Sequence, residues 1–236
     1  MLFRSSRVQR YEDAVWQQEA SARCDRAYMI RDRVLPDEIH NYAHNNEWLC
    51  RNLTYLGRAR DALSLARNLG ELPRHPRHNT VTGGKSAAYS RQRLFETLTL
   101  LELWDDLIAL CDSPYLEPTD DEGEQIKRPR SLASAWIRKG DPTRAQPLLD
   151  DLRQRAGKLR PRLAEFAQPA GFAVKLPEGA DPRPEEPPLP QLSDDENNRK
   201  RQIENSLRPI DLAIAEIEGH LATLQGDLKK AHEKLQ

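Results

Sequence analysis

The stretch IENSLRPIDLAIAEIEGHLATLQGDLKKAHEKL, residues 203–235, decides the fold class of this chain. Leu207, Ile210, Ile214, Ile217, Leu221, Leu224, Leu228, Ala231 and Leu235 recur at spacings of three and four. That is the heptad seam of an amphipathic helix. It predicts a coiled-coil-like rod from Ile203 to Leu235, ~50 Å long at 1.5 Å per residue. Ser193 and Glu196 form an S-x-x-E capping box that opens the helix. Pro209 falls inside the pattern, so the helix kinks there or the rod starts near it. A stripe of this kind needs burial, and three occupants are open: a second copy, the chain's own upstream helices, or a foreign helix. Ile214, mid-seam, is assigned to partner contact. Gly219 and Gly226 weaken the rod or let a second backbone come close.

The chain upstream repeats the helical theme. Leu, Ala, Arg and Glu dominate, alternating β-branched runs do not occur, and the fold class expected is all-α. Helices are predicted over ~8–34, ~38–57, ~59–70, ~86–102, ~104–112, ~124–139 and ~142–167. Gly57, Gly70 and Gly140 sit at their ends. Pro142 falls at a first helical position behind Asp141 as N-cap, and Pro147 and Pro161 are expected to kink or split the last helix. Seven of the 25 residues 168–192 are proline, a composition that reads as an extended linker. PPLP at 187–190 could serve as an SH3 or WW ligand, although a plain linker explains the same letters. The domains expected are 1–167, 168–192 and 193–236.

The segment NLTYLGRARDALSLARNLGELP, Asn52 to Pro73, resembles a tetratricopeptide repeat. Gly57, Ala62, Ala66 and Pro73 fall close to the family's small and closing positions. Leu98 to Pro118 repeats the pattern with Glu102 at the turn and Leu107 at the small position. Trp136 to Leu152 repeats it with Gly140 and Ala145. The turns are 45 and 38 residues apart, where the family keeps 34. The resemblance covers about 40–155 and implies a stacked-hairpin scaffold that grips a peptide or protein. On its best repeat, Asn45, Asn46, Arg51 and Asn52 are the polar groups placed to clamp a partner's backbone, against an ordinary solvated helix face.

Other chemistry finds thin support. The net charge is −1, so no global field draws the chain to nucleic acid or membrane. Residues 127–162 hold eleven Lys or Arg against three Asp. That stretch reads as a solvated face or a dock for the acidic linker and tail before it reads as a phosphate-contacting surface. VTGGKSA, 81–87, echoes a phosphate loop but carries Asn79 where a glycine belongs; it reads as a loop ending in an N-cap at Ser86. His40, His44, His75 and His78 are candidate zinc ligands without a carboxylate or cysteine in motif spacing. Cys24, Cys50 and Cys111 form no CxxC, and Cys50 and Cys111 lie on apolar faces as free thiols. No cofactor, no metal and no catalytic residue is assigned. No apolar run reaches the ~20 residues of a membrane span, and a cytoplasmic location is expected. The reading is a non-catalytic interaction scaffold. Its alternative is a helical accessory region of a larger enzyme whose active site lies elsewhere.

Overall fold

The computed structural model describes residues 2–73, 75, 77, 79–166 and 193–236. They form ten α-helices, with no strand among the described residues: α1 (Leu2–Arg7), α2 (Tyr11–Asp32), α3 (His40–Tyr55), α4 (Ala59–Glu71), α5 (Ser86–Leu100), α6 (Trp104–Cys111), α7 (Glu124–Arg138), α8 (Pro142–Ala164), α9 (Asp194–Leu224) and α10 (Leu228–Leu235). The all-α expectation is met. The predicted linker, 168–192, and its PPLP segment lie outside the described residues.

One corner recurs along the backbone. At Gln9, Gly57, Glu102, Gly140 and Gly226 the chain takes a positive φ of 53–78°. At each, the next amide donates across the corner: Arg10 to the Ser5 carbonyl, Arg58 to Leu53, Leu103 to Leu98, Asp141 to Trp136 and Asp227 to Ala222, all at 2.8–2.9 Å. This is the Schellman closure, which satisfies carbonyls that a helix end leaves orphaned. A new helix starts at once. Five residues past each corner stands Ala14, Ala62, Leu107, Ala145 or Ala231, and every one is buried. Helix α1 packs on α2, α3 on α4, α5 on α6 and α9 on α10, and a small side chain near such a crossing lets the two axes approach.

The chain divides into two compact units, Met1–Asp141 and Pro142–Gln236. In the first, α2 packs on α3, α3 on α4 and α5, and α4 on α5, with α6 against α5 and α7. A continuous core joins them through Leu49, Leu53, Leu63, Leu94, Leu98 and Leu107. In the second, α9 lies against α8 and α10. Arg153 pairs with Glu218 and Arg160 with Asp211, so sequence number rises on one helix as it falls on the other. The two are therefore antiparallel.

The rod does not run to Leu235. Helix α9 ends at Leu224, the chain turns at Gly226, and α10 starts behind Asp227, whose carboxylate caps the Lys230 amide at 3.0 Å. Leu235 returns over Gly219, close enough that a Cβ there would lie 2.6 Å from Leu235 Cγ. The seam kept its spacing through the turn, so periodicity alone could not reveal the break. The capping box at Ser193 and Glu196 is present. Pro209 lies within an unbroken α9, and Pro147 and Pro161 lie within α8 without splitting it.

Candidate functional site

Helix α3 carries the four polar residues expected to clamp a partner, and their side chains turn largely inward. Asn52 is fully buried. Its amide nitrogen donates to Gln18 Oε1 at 2.7 Å and to the Trp48 carbonyl at 2.8 Å, and its oxygen accepts from Ser6 Oγ at 2.9 Å. One side chain thus ties α1, α2 and α3. Asn45 donates to Ser21 Oγ and Asp25 Oδ2 on α2, at 2.8 and 3.1 Å. Asn46 donates to the Tyr42 carbonyl one turn back. Buried amides need such partners, because leaving one unmet costs ~1–3 kcal/mol. Only Arg51 of the four reaches water. It lies over the Trp48 and Tyr55 rings and donates to Tyr55 Oη at 3.0 Å. Ile214 faces the inside of the second unit and is 8% exposed.

Two buried arginines of α5 were not singled out in the sequence. Arg93 donates through Nε to Glu47 Oε2 at 2.8 Å, and its terminal nitrogens reach Glu47 and Glu96. His44 Nδ1 stands 3.4 Å from Glu47 Oε1. Arg91 donates to the Tyr115 and Glu117 carbonyls at 3.0 Å and twice to Glu124 Oε2. Arg128, from α7, donates to the Leu116 and Cys111 carbonyls. Together Arg91 and Arg128 staple the loop between α6 and α7. Beside that loop opens a cleft of about 330 Å³, lined by Gly70, Glu71, Val81, Ser90, Arg91 and Tyr115 among others. Its volume falls in the range of small-ligand and side-chain pockets.

Several of the remaining candidates have structural roles. Asn79, in the glycine place of the phosphate-loop echo, accepts from the Ala87 amide at 3.0 Å and donates to Asp37 and Ser86. It caps α5 through its side chain; Ser86 is the first helical residue, not the N-cap. Burial pushes the Cys50 thiol up to about 12 and the Cys111 thiol up to about 11, so neither ionises near neutral pH. Among the described residues no three His, Cys, Asp or Glu side chains gather as metal ligands; His78 and the His40 side chain lie outside them. From the basic stretch, Arg153 and Arg160 pair with α9, so part of it docks the acidic tail. No described helix is long and apolar enough to cross a membrane.

Glu218 accepts from both Arg153 on α8 and Lys234 on α10. Burial pushes its carboxyl up, but the hydrogen bonds from Lys234 and Arg153 and their charges together outweigh it and hold the group below its ordinary value. A lowered folded pKa stabilises above the unfolded value, ~4.3, and the gain is lost as pH falls through the folded value. Acid titration followed by circular dichroism should show the second unit losing stability there, and Glu218→Gln should remove that part of the acid limb.

No protein-family model matches the chain, no curated protein matches it in sequence, and no solved structure matches its fold.

Proposed function

We propose that this chain is a non-catalytic protein-interaction scaffold built from degenerate hairpins of the tetratricopeptide type. The observation that carries the reading is the recurrence of one left-handed corner, with a buried residue five places on, at Gln9, Gly57, Glu102, Gly140 and Gly226. Repeated hairpins present extended surfaces made of many short helices, and such surfaces hold proteins and peptides. The cleft beside Tyr115 is the seat for a partner segment. Val81 and Pro114 offer an apolar side chain a place to enter, while Glu71 and Glu117 favour a basic neighbour.

The test is affinity capture with the full chain and with Val81→Asp, compared by quantitative mass spectrometry. Proteins held by the parent chain and lost by the variant, at equal thermal stability, support the reading. Identical proteins on both would remove the cleft, and no specific protein on either would remove the scaffold function.

A further inference from the structure

Helix α2 carries an apolar face that no other described element covers. Its inner face, with Ala14, Val15, Gln18 and Ala22, is buried. On the opposite side Trp16 is 72% and Ile30 70% exposed. Ala20, exposed Arg23 and Ala27 lie between them on the same stripe, and exposed Cys24 flanks it. A tryptophan left this exposed costs solvation, and large apolar anchors beside small residues are what interfaces use.

We infer that this face pairs with the same face of a second copy, the two α2 helices running antiparallel. The charges select that occupant. On the outward stripe of α2 the first half carries Glu12, Asp13 and Glu19 and the second half Arg23, Arg26 and Arg31. The acids of the second half, Asp25 and Asp32, lie off that stripe, Asp25 accepting from Asn45 of α3 and Asp32 from Arg31. A parallel mate would set like against like. An antiparallel one sets acid against base on either side of the two-fold axis, as an isologous interface allows.

The register follows from the anchors. Trp16 and Ile30 are fourteen residues apart, ~21 Å along the axis. Placing Trp16 on the partner's Ile30 also places Ile30 on the partner's Trp16, with the two-fold axis at Arg23. Asp13 then comes within reach of the partner's Arg31, and Glu19 of the partner's Arg26. Each exchanges or shares an ion-pair mate of its own chain, since Asp13 pairs with Arg10, Glu19 with Arg23 and Arg31 with Asp32. Arg23 meets its own mate at the axis, and its charge is already met by Glu19 at 2.6 Å. Cys24 of each copy comes to the same flank, side by side. One helix pair buries less than the ~1,200 Å² of a standard complex, so the dimer is a weak one.

The test is sedimentation velocity of the full chain over a rising concentration series. The parent chain should move from monomer to dimer. Trp16→Asp should stay monomeric at every concentration with an unchanged melting temperature, because the residue lies outside the core. Asp13→Arg and Arg31→Asp should each weaken the dimer at least tenfold, and the double variant should recover most of the loss. Diamide, which takes up the two thiol hydrogens as the S–S bond forms, should cross-link the dimer through Cys24 and fail with Cys24→Ser. A parent chain that stays monomeric would overturn the inference. So would a dimer that survives Trp16→Asp, which would place self-association on another surface such as 203–235, or a charge double variant no better than its singles.

Discussion

Arg93→Ala is expected to lose about 3–5 kcal/mol of folding stability, the largest effect of any single substitution outside the apolar core. Glu47 is 5% exposed and its carboxylate takes its hydrogen bonds from Arg93. Removing the guanidinium leaves that charge in the interior with His44 Nδ1 3.4 Å away, while Arg51 stands 4.0 Å from Glu96, the other carboxylate that Arg93 held. The pair is not a net gain in itself, since two ions were taken from water to make it. That asymmetry gives a second arm. Glu47→Leu with Arg93→Met removes both charges and keeps the volume, so it should recover most of the loss. Urea denaturation checks both, and an Arg93→Ala loss under about 1 kcal/mol, the worth of an exposed pair, would show the cluster to be solvated.

Arg91→Ala should cost about 3 kcal/mol by the same logic, but its effect is local. Arg91 holds two loop carbonyls and the Glu124 carboxylate at the start of α7. Without it the stretch from Tyr115 to Glu124 keeps only the Arg128 staple at Leu116, while the core of α3, α4 and α5 stays packed. Amide hydrogen exchange should therefore accelerate over 113–124 and at the first turn of α7, and much less in α4. Arg91→Lys should not rescue, because one ammonium cannot span both the carbonyls and the carboxylate. Uniform acceleration across the unit would mean the arginine supports the core and not the loop.

The helices were legible where apolar period and punctuation agreed. Gly57 and Gly140 announced their corners, Ser193 and Glu196 announced the start of α9, and Pro142 the start of α8. Glu102 is placed at a turn by the repeat's spacing alone, while Gln9 goes unseen, since a left-handed position with a side chain carries no glycine to mark it. Gly226 was hidden by the leucines on either side, which keep the three-and-four spacing across the turn. Yet GDPTRA at 140–145 and GDLKKA at 226–231 share the glycine, the aspartate and the buried alanine, so a search for the corner and not the seam would have found it. The polar residues of α3 misled for a different reason. Asn45 and Asn52 read as solvated because amphipathicity assigns polar side chains to water, and pairing across helices is invisible in one sequence. Helix α5 is covered on several sides, so Arg91 and Arg93 lie buried where a two-faced helix would expose at least one.

The recurring corner is what the account depends on, and Glu102 tests it most directly. Glu102 holds φ +53° with a side chain that strains there. Glu102→Gly should therefore raise stability by about 1 kcal/mol in urea denaturation. Were residues 98–111 one continuous helix, the same glycine would lower stability by about 1 kcal/mol. A loss of that size would contradict the corner at Glu102 and the repeat built on it.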